Sequence, residues 1–428
     1  MRAIRLPDPP GVSVSHATPE IFDRGLSTVV RRAVIIGNGA AGAEHQSIGL
    51  VRALGLASSY TIYRVDRPKG EFNRWLRWLP LGIHKKIDCL VRHLHLVWWQ
   101  RFATSLGFRL QSQKTIGISS AGLSGIEAAD ARKLADLANL ESARNGPLLV
   151  LAAGRDTVSI AESVKKLAPG ATFVVQIQHP RRCLDNFDMV ITPVHDYYTL
   201  SPAARQEAPR FLIPFLTPHQ PPDKRVVLTV GALHLADPSM LRSAAETWHS
   251  LLAPLPKPLL IVNIGGPMRC CHYGQDLAQE LASKLKRVLS SCGSVRISYS
   301  RRTPAKVCDV IQRELGDLPN VHIFDGTGPN PHLGHLAWGD AFVVTADSIS
   351  MLSEACSTGK PVYVLGAERC TWKFRSFHKS LRHKGVARNF TGLEDISESW
   401  SYPPLSDNAA AAERVRAALA ERGWSLAS

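Results

Sequence analysis

Gly37, Gly39 and Gly42 stand at GxGxxG spacing between a short apolar run, Ala33 to Ile36, and a stretch where Ile48, Val51 and Leu54 recur every three residues. With Asn38 inside it, such a loop turns tightly and brings backbone N–H groups close to a bound anion. Asp66 closes the next strand-like run, Tyr60 to Val65, where a dinucleotide-binding fold keeps its ribose-binding acid. One reading is a nicotinamide- or flavin-dependent oxidoreductase; the plainer one is that the glycines only turn the chain. A second glycine pair, Gly265 and Gly266, follows another buried run, and two polar clusters come after it. These are Ser300, Arg301, Arg302 and Thr303, then Asp347, Ser348, Ser350 and Glu354. Guanidinium groups suit phosphates, helix N-termini suit anions, and a carboxylate can accept hydrogen bonds from two hydroxyls. Arg155, His179, His195 and Asp196 each follow a strand-like run, the position where parallel sheets collect ligands. No D-x-D occurs, and the eight cysteines show no C-x-x-C spacing, so no metal site is expected and the thiols are read as reduced.

The elements that must position these groups alternate strand and helix. Pro147 to Ala153, Thr172 to Ile177 and Met189 to Thr192 are continuous apolar runs with helical stretches between them, the pattern of a doubly wound parallel sheet. The second half restarts with Pro258 to Ile264 and continues through Ser294 to Ser300, Asn320 to Phe324, Ala341 to Thr345 and Pro361 to Gly366. Phe211 to Arg225, with four prolines, reads as the linker. The expected division is a flexible leader over 1–28, an N-terminal Rossmann-like domain over 29–222, a C-terminal nucleotide-binding-type domain over 223–400 and a helical tail over 401–428.

A chain of 428 residues is too long for one core, and 45% hydrophobic with 20% charged residues excludes global disorder. Fifty-one Lys and Arg against 36 Asp and Glu leave a net charge of +15, which favours an anionic partner. No apolar run is long enough for a transmembrane segment. Between Phe72 and Phe102, Trp75, Trp78, Trp98 and Trp99 fall among Arg74, Arg77, Lys85, Lys86, Arg92 and Arg101, which suits either a core or a peripheral anionic membrane surface. The leader carries Asp8, Glu20 and Asp23 beside its arginines, so an import signal is not expected. The basic run Arg369 to Arg388 is expected on the surface.

Two halves that each open with strand, glycine loop and helix resemble the two Rossmann-like domains, facing across a cleft, of a GT-B glycosyltransferase. GNGAAGAEHQSIGLVRALGL, the strand ends HP and PVHDYY, NIGGP, SRRTP and VVTADSISMLSEACSTGKPVYVLG are together similar to the plant elongated-mitochondria fission family and its bacterial relatives, over roughly Val29 to Ser397. The GT-B resemblance implies that the Ser300–Arg302 strand end meets a diphosphate and that Glu354 meets a ribose. The fission-family resemblance implies a factor at the cytosolic face of the mitochondrial outer membrane that helps recruit a dynamin-related GTPase, with no nucleic-acid partner. Three function classes therefore stand: a division factor on a scaffold without established activity, a metal-independent nucleotide-sugar glycosyltransferase, and an NAD-dependent oxidoreductase. The second needs a general base, for which His45, His179 and Asp196 are the candidates. A nucleotide or nucleotide-sugar is the only cofactor any of the motifs beyond the first would suggest.

Overall fold

A computed structural model describes residues 28–65, 86–87, 90–91, 127–181, 184–197, 222–268 and 271–427. The leader, Asp66, the proline-rich stretch 211–221, Cys89, Cys183, Cys270 and nearly all of the Trp-rich stretch 72–102 lie outside the described residues. The first half runs β1 (Thr28–Val30), β2 (Arg32–Gly37), α1 (Ala41–Ala53), β3 (Tyr60–Arg64), β4 (Glu127–Ala128), α2 (Ala131–Asn145), β5 (Leu148–Ala153), α3 (Val158–Leu167), β6 (Thr172–Ile177), β7 (Met189–Pro193), α4 (Val194–Tyr197) and β8 (Val226–Thr229). After α5 (Pro238–Thr247) and α6 (His249–Leu252) come β9 (Leu259–Ile264), α7 (Gln275–Val288), β10 (Ser294–Tyr299), α8 (Ala305–Leu315), β11 (Val321–Ile323) and α9 (His332–Trp338). The chain closes with β12 (Ala341–Thr345), α10 (Ile349–Cys356), β13 (Val362–Leu365), α11 (Trp372–His383), β14 (Arg388–Asn389), α12 (Asp407–Glu421) and β15 (Trp424–Leu426).

Seven strands form one sheet in the order β4-β3-β2-β5-β6-β7-β8, and six form another in the order β11-β10-β9-β12-β13-β14. All of these pairings are parallel. Each order reverses beside its first strand, between β2 and β5 and between β9 and β12, so each half is Rossmann-like and owns one switch point. Every residue of β5, β6 and β9 is buried, which is why the strands read as unbroken apolar runs. Helices cover them by ordinary spacing: α7 buries Leu277, Ala278, Leu281, Ala282, Leu285 and Val288. Asp130 and Asp237 cap α2 and α5 by accepting the N–H groups of the first turn.

The halves are not joined where the prolines suggest. The first sheet takes its last strand from β8, beyond the boundary expected at 222. The final helix, α12, then returns to the first core, burying Ala411, Ala412, Val415 and Leu419 against Leu50 and Val51 of α1. Strand β15 pairs with β1. Between β8 and α5 the chain is stitched on both sides. Val230 and Gly231 donate their N–H groups to Asp407 at 3.0 and 2.8 Å, Ala232 donates to Ser353 Oγ of α10 at 2.9 Å, and His234 exchanges two hydrogen bonds with Asn408. Arg52 at the end of α1 pairs with Asp237 at 2.7 Å.

Gly49 is the glycine this junction requires. A Cβ there would stand 2.1 Å from the His234 carbonyl oxygen, whereas one at Gly42 would meet only Ser350 Oγ, at 3.9 Å. Gly49→Ala is therefore expected to destabilise the fold by about 1–3 kcal/mol, and Gly42→Ala to be neutral or stabilising by up to about 1 kcal/mol, the helix-propensity gain. Urea denaturation of the two variants checks the contrast; equal midpoints would contradict it.

Candidate functional site

At the first switch point the glycine loop is occupied by the chain itself. Glu44, buried in the first turn of α1, folds back so that Oε1 accepts the Gly39 N–H at 2.8 Å, while Arg64 at the end of β3 donates to both carboxylate oxygens at 2.7 Å. Gly37 makes room for it, since a Cβ would lie 2.5 Å from Glu44 Oε1. Arg64 holds the carboxyl below its ordinary range against the opposing effect of burial, with the Gly39 N–H assisting. Asn38 accepts the Ala40 N–H at 3.1 Å. His45 is exposed on α1, near enough to Glu354 to help keep that carboxyl ionised.

The second switch point is organised by Asp347, whose side chain is fully buried. Its carboxylate accepts the Gly266 N–H at 2.9 Å, the Thr345 hydroxyl at 2.7 Å, the Tyr273 hydroxyl at 3.1 Å and the Arg302 guanidinium at 3.2 Å. Burial nevertheless holds this carboxyl above its ordinary range. The strand ends approach so closely that a Cβ at Gly265 would strike Asp347 and one at Gly266 would strike the Arg302 carbonyl. Ser300 and Thr303 close on the same loop, the Thr303 hydroxyl lying 2.9 Å from the Ile264 carbonyl and accepting the Ser300 N–H at 3.0 Å. Arg301 is exposed. Ser348 begins α10 without a side-chain cap, and Ser350 stands against Gly42, so the first turns of α1 and α10 meet. Glu354, deeper in α10, pairs with His332 of α9 at 2.8 Å. Burial alone would lower the His332 imidazole and raise the Glu354 carboxyl, but the pair outweighs it, leaving His332 above and Glu354 below their ordinary values. Both amide atoms of Asn263, the last residue but one of β9, are buried without a hydrogen-bond partner among the described residues.

Arg155, just beyond β5, is exposed, and the remaining candidates lie at the ends of β6 and β7, with α4 against α11 of the other half. Gln178 and Arg181, flanking His179, both have left-handed φ (69° and 58°), a conformation costly for such side chains. Burial pushes the His179 imidazole down to about 4, with Arg181 adding to the effect and Asp196 opposing it. Nδ1 of His179 accepts the Arg181 N–H at 3.0 Å. Asp196 is clamped from both halves, by Lys373 of α11 at 2.7 Å and by Arg181 at 3.1 Å. Burial raises its carboxyl and these two cations more than reverse that, bringing it to about 2. His195 packs on Phe377, its burial taking the imidazole to about 3, and His378 meets the Ala346 carbonyl at 2.7 Å.

The two switch points thus approach each other through Gly42 and Ser350, while His179 and Asp196 sit with α11. Among the groups expected to meet a nucleotide, Asn38, Ser300, Arg302, Thr303, Asp347 and Glu354 bond within the protein. Glu44, Arg64 and Lys373 fell inside stretches singled out for other reasons, and His332 and Asp407 in no motif; the role of each is set by a partner outside its own stretch. The described residues contain no group of three or more His, Cys, Asp or Glu placed to hold a metal ion. They contain no helix long and apolar enough to cross a membrane.

Residues 41–419 match the model of the family described as Mitochondrial fission ELM1. The chain is 56% identical over 429 residues to the mitochondrial fission protein ELM1 of Arabidopsis thaliana, covering all of both chains. It is 30% identical over 288 residues to the uncharacterized protein RP120 of Rickettsia prowazekii, covering 64% of this chain and 80% of that one. Of solved structures, UDP-GlcNAc 2-epimerase from Neisseria meningitidis bound to UDP-GlcNAc overlays with a TM-score of 0.43 at 11% identity, covering 91% of this chain and 99% of that one.

The His332–Glu354 pair makes stability depend on pH in a defined direction. A raised His332 contributes stability that is full below about 6.5 and is lost as pH rises through its folded value. A lowered Glu354 contributes stability present above about 4.5 and lost as pH falls through its folded value. Glu354→Gln should cost about 1–3 kcal/mol between those limits and flatten the loss above pH 6.5. Melting curves of both proteins across pH test this; an undiminished alkaline loss in the variant would contradict it.

Proposed function

The chain belongs to the Mitochondrial fission ELM1 family, and on that premise we propose that it serves mitochondrial division as a binding scaffold at the cytosolic face of the outer membrane, where it helps bring a dynamin-related GTPase to the organelle. The observation that carries a scaffold role is that the carboxylates of both switch points are satisfied within the protein: Glu44 by Arg64 and Gly39, Asp347 by four donors, Glu354 by His332. A surface is offered in their place. Helix α11 holds no acid, and Arg375, Lys379, Arg382 and His383 on it, with Lys384 and Arg388 just beyond, are exposed. Such a face suits the negative potential of a membrane containing anionic lipid. Deleting the gene and imaging mitochondria tests the role: organelles of normal length, with the GTPase still docked, would end it.

A second reading keeps a nucleotide-sugar in the cleft, favoured by exposed Arg301 just beyond β10, next to Arg302, which reaches Asp347 before α10. Saturable heat on titration with uridine nucleotides, weakened in Arg301→Ala, would support it.

Reversing Lys379, Arg382 and Lys384 to Glu should weaken binding to vesicles containing phosphatidylserine. Each basic residue near such a surface contributes about 1 kcal/mol, so the loss should be on the order of 100-fold or more at low salt. It should shrink as ionic strength rises. Flotation assays at two salt concentrations measure it, and wild-type binding by the triple variant at low salt would reject the surface.

A further inference from the structure

The other described cysteines give no sulfur–sulfur contact, but Cys271 and Cys370 face each other. Cys271 lies in the loop between β9 and α7, where its backbone N–H and C=O exchange hydrogen bonds with Met268. Cys370 ends a short turn, Ala367–Arg369, just before α11. The two are directly opposite in an isolated antiparallel bridge. Opposed antiparallel residues stand about 4.5–5.5 Å apart at Cα, inside the span of about 4.4–6.8 Å that a disulfide accepts. Both are essentially without solvent exposure, and the Sγ atoms approach to 2.7 Å across 99 residues of sequence.

We propose that Cys271 and Cys370 are a disulfide-forming pair, a covalent modification site that ties the β9–α7 loop to the start of α11 when the protein meets a hydroperoxide. One thiol, as thiolate, attacks the peroxide oxygen, giving a sulfenic acid and releasing an alcohol, or water when the oxidant is hydrogen peroxide. The second sulfur then displaces water from the sulfenic acid and the S–S bond forms. Two thiols and one hydroperoxide become one disulfide, one alcohol and one water. The contact with Cys271 and burial both raise the Cys370 thiol, so the reduced pair is unreactive until the loop opens, and oxidation is slow in the closed protein. Formation of the bond closes a chain loop of about 100 residues, which penalises the unfolded state. It also fixes the segment that aims Lys373 at Asp196 and carries the basic face of α11. This inference does not rest on the division role.

The test uses the full chain with Cys270→Ser, so that the neighbouring thiol cannot stand in for Cys271. The folded protein is treated with hydrogen peroxide, remaining thiols are alkylated after denaturation, and peptides are mapped without reductant. The expected result is a linked Cys271–Cys370 peptide, with a melting temperature raised by several degrees and restored by dithiothreitol. Cys370→Ala in the same background should show no such rise. Peroxide-treated protein in which Cys271 and Cys370 both remain alkylatable, or in which either is linked elsewhere, would overturn the proposal. Should Cys370→Ala fail to fold, the peptide map of the parent protein alone decides.

Discussion

A carboxylate taken out of water must be surrounded by donors, and this fold meets that requirement four times where its halves come together. Asp347 draws the ends of β9, β10 and β12 onto itself, because Gly266, Arg302, Tyr273 and Thr345 can reach it only when those loops close. Asp407 does the same for the chain crossing between β8 and α5, Glu44 for the first glycine loop, and Glu354 for α9 and α10. Losing Asp347 would leave the buried Gly266, Thr345 and Tyr273 donors unpaired, at about 1–3 kcal/mol for each. These carboxylates shape the junction, and in doing so they use the groups that a nucleotide site would otherwise present.

From this follows the division of labour in the molecule. The interior of the cleft is devoted to holding two Rossmann-like units in register, with Asp196 clamped by Lys373 from one side and Arg181 from the other. Exposed basic residues gather instead along α11 and just beyond it. Since α11 supplies both Lys373 and the exposed basic face, the element that fastens the halves also carries the surface proposed to meet an anionic membrane. Fold alone does not specify such a role; membership of the fission family together with this distribution of charge supports it.

Much of the architecture was legible in the chain. LLVLAA, TFVVQI and LLIVNI announce doubly covered parallel strands because such strands have no wet face, and the two glycine turns mark the two switch points. The proline-rich stretch misled about the boundary, since it precedes the last strand of the first sheet instead of following it, and β8 with only four residues gives a weak signal. The GxGxxG spacing draws attention to Gly42 in α1, yet Gly49 is the one pressed against His234, a contact fixed by chain 185 residues further on. Glu354 was found by residue type but its partner His332 was not, since that depends on how α9 packs; Glu44 with Arg64 was missed outright, since it depends on which strand lies beside β2. Residue type names a chemistry, whereas partnership is decided by tertiary structure.

The central claim is that the surface of α11, not an open nucleotide site, carries the role in division. The most direct measurement is mitochondrial length in cells lacking the protein, complemented either with Arg301→Ala or with Lys379, Arg382 and Lys384 all reversed to Glu, at matched protein levels. The account expects the first variant to restore normal length and the second to leave mitochondria elongated. Elongated mitochondria with Arg301→Ala, together with full rescue by the charge-reversed protein, would contradict it.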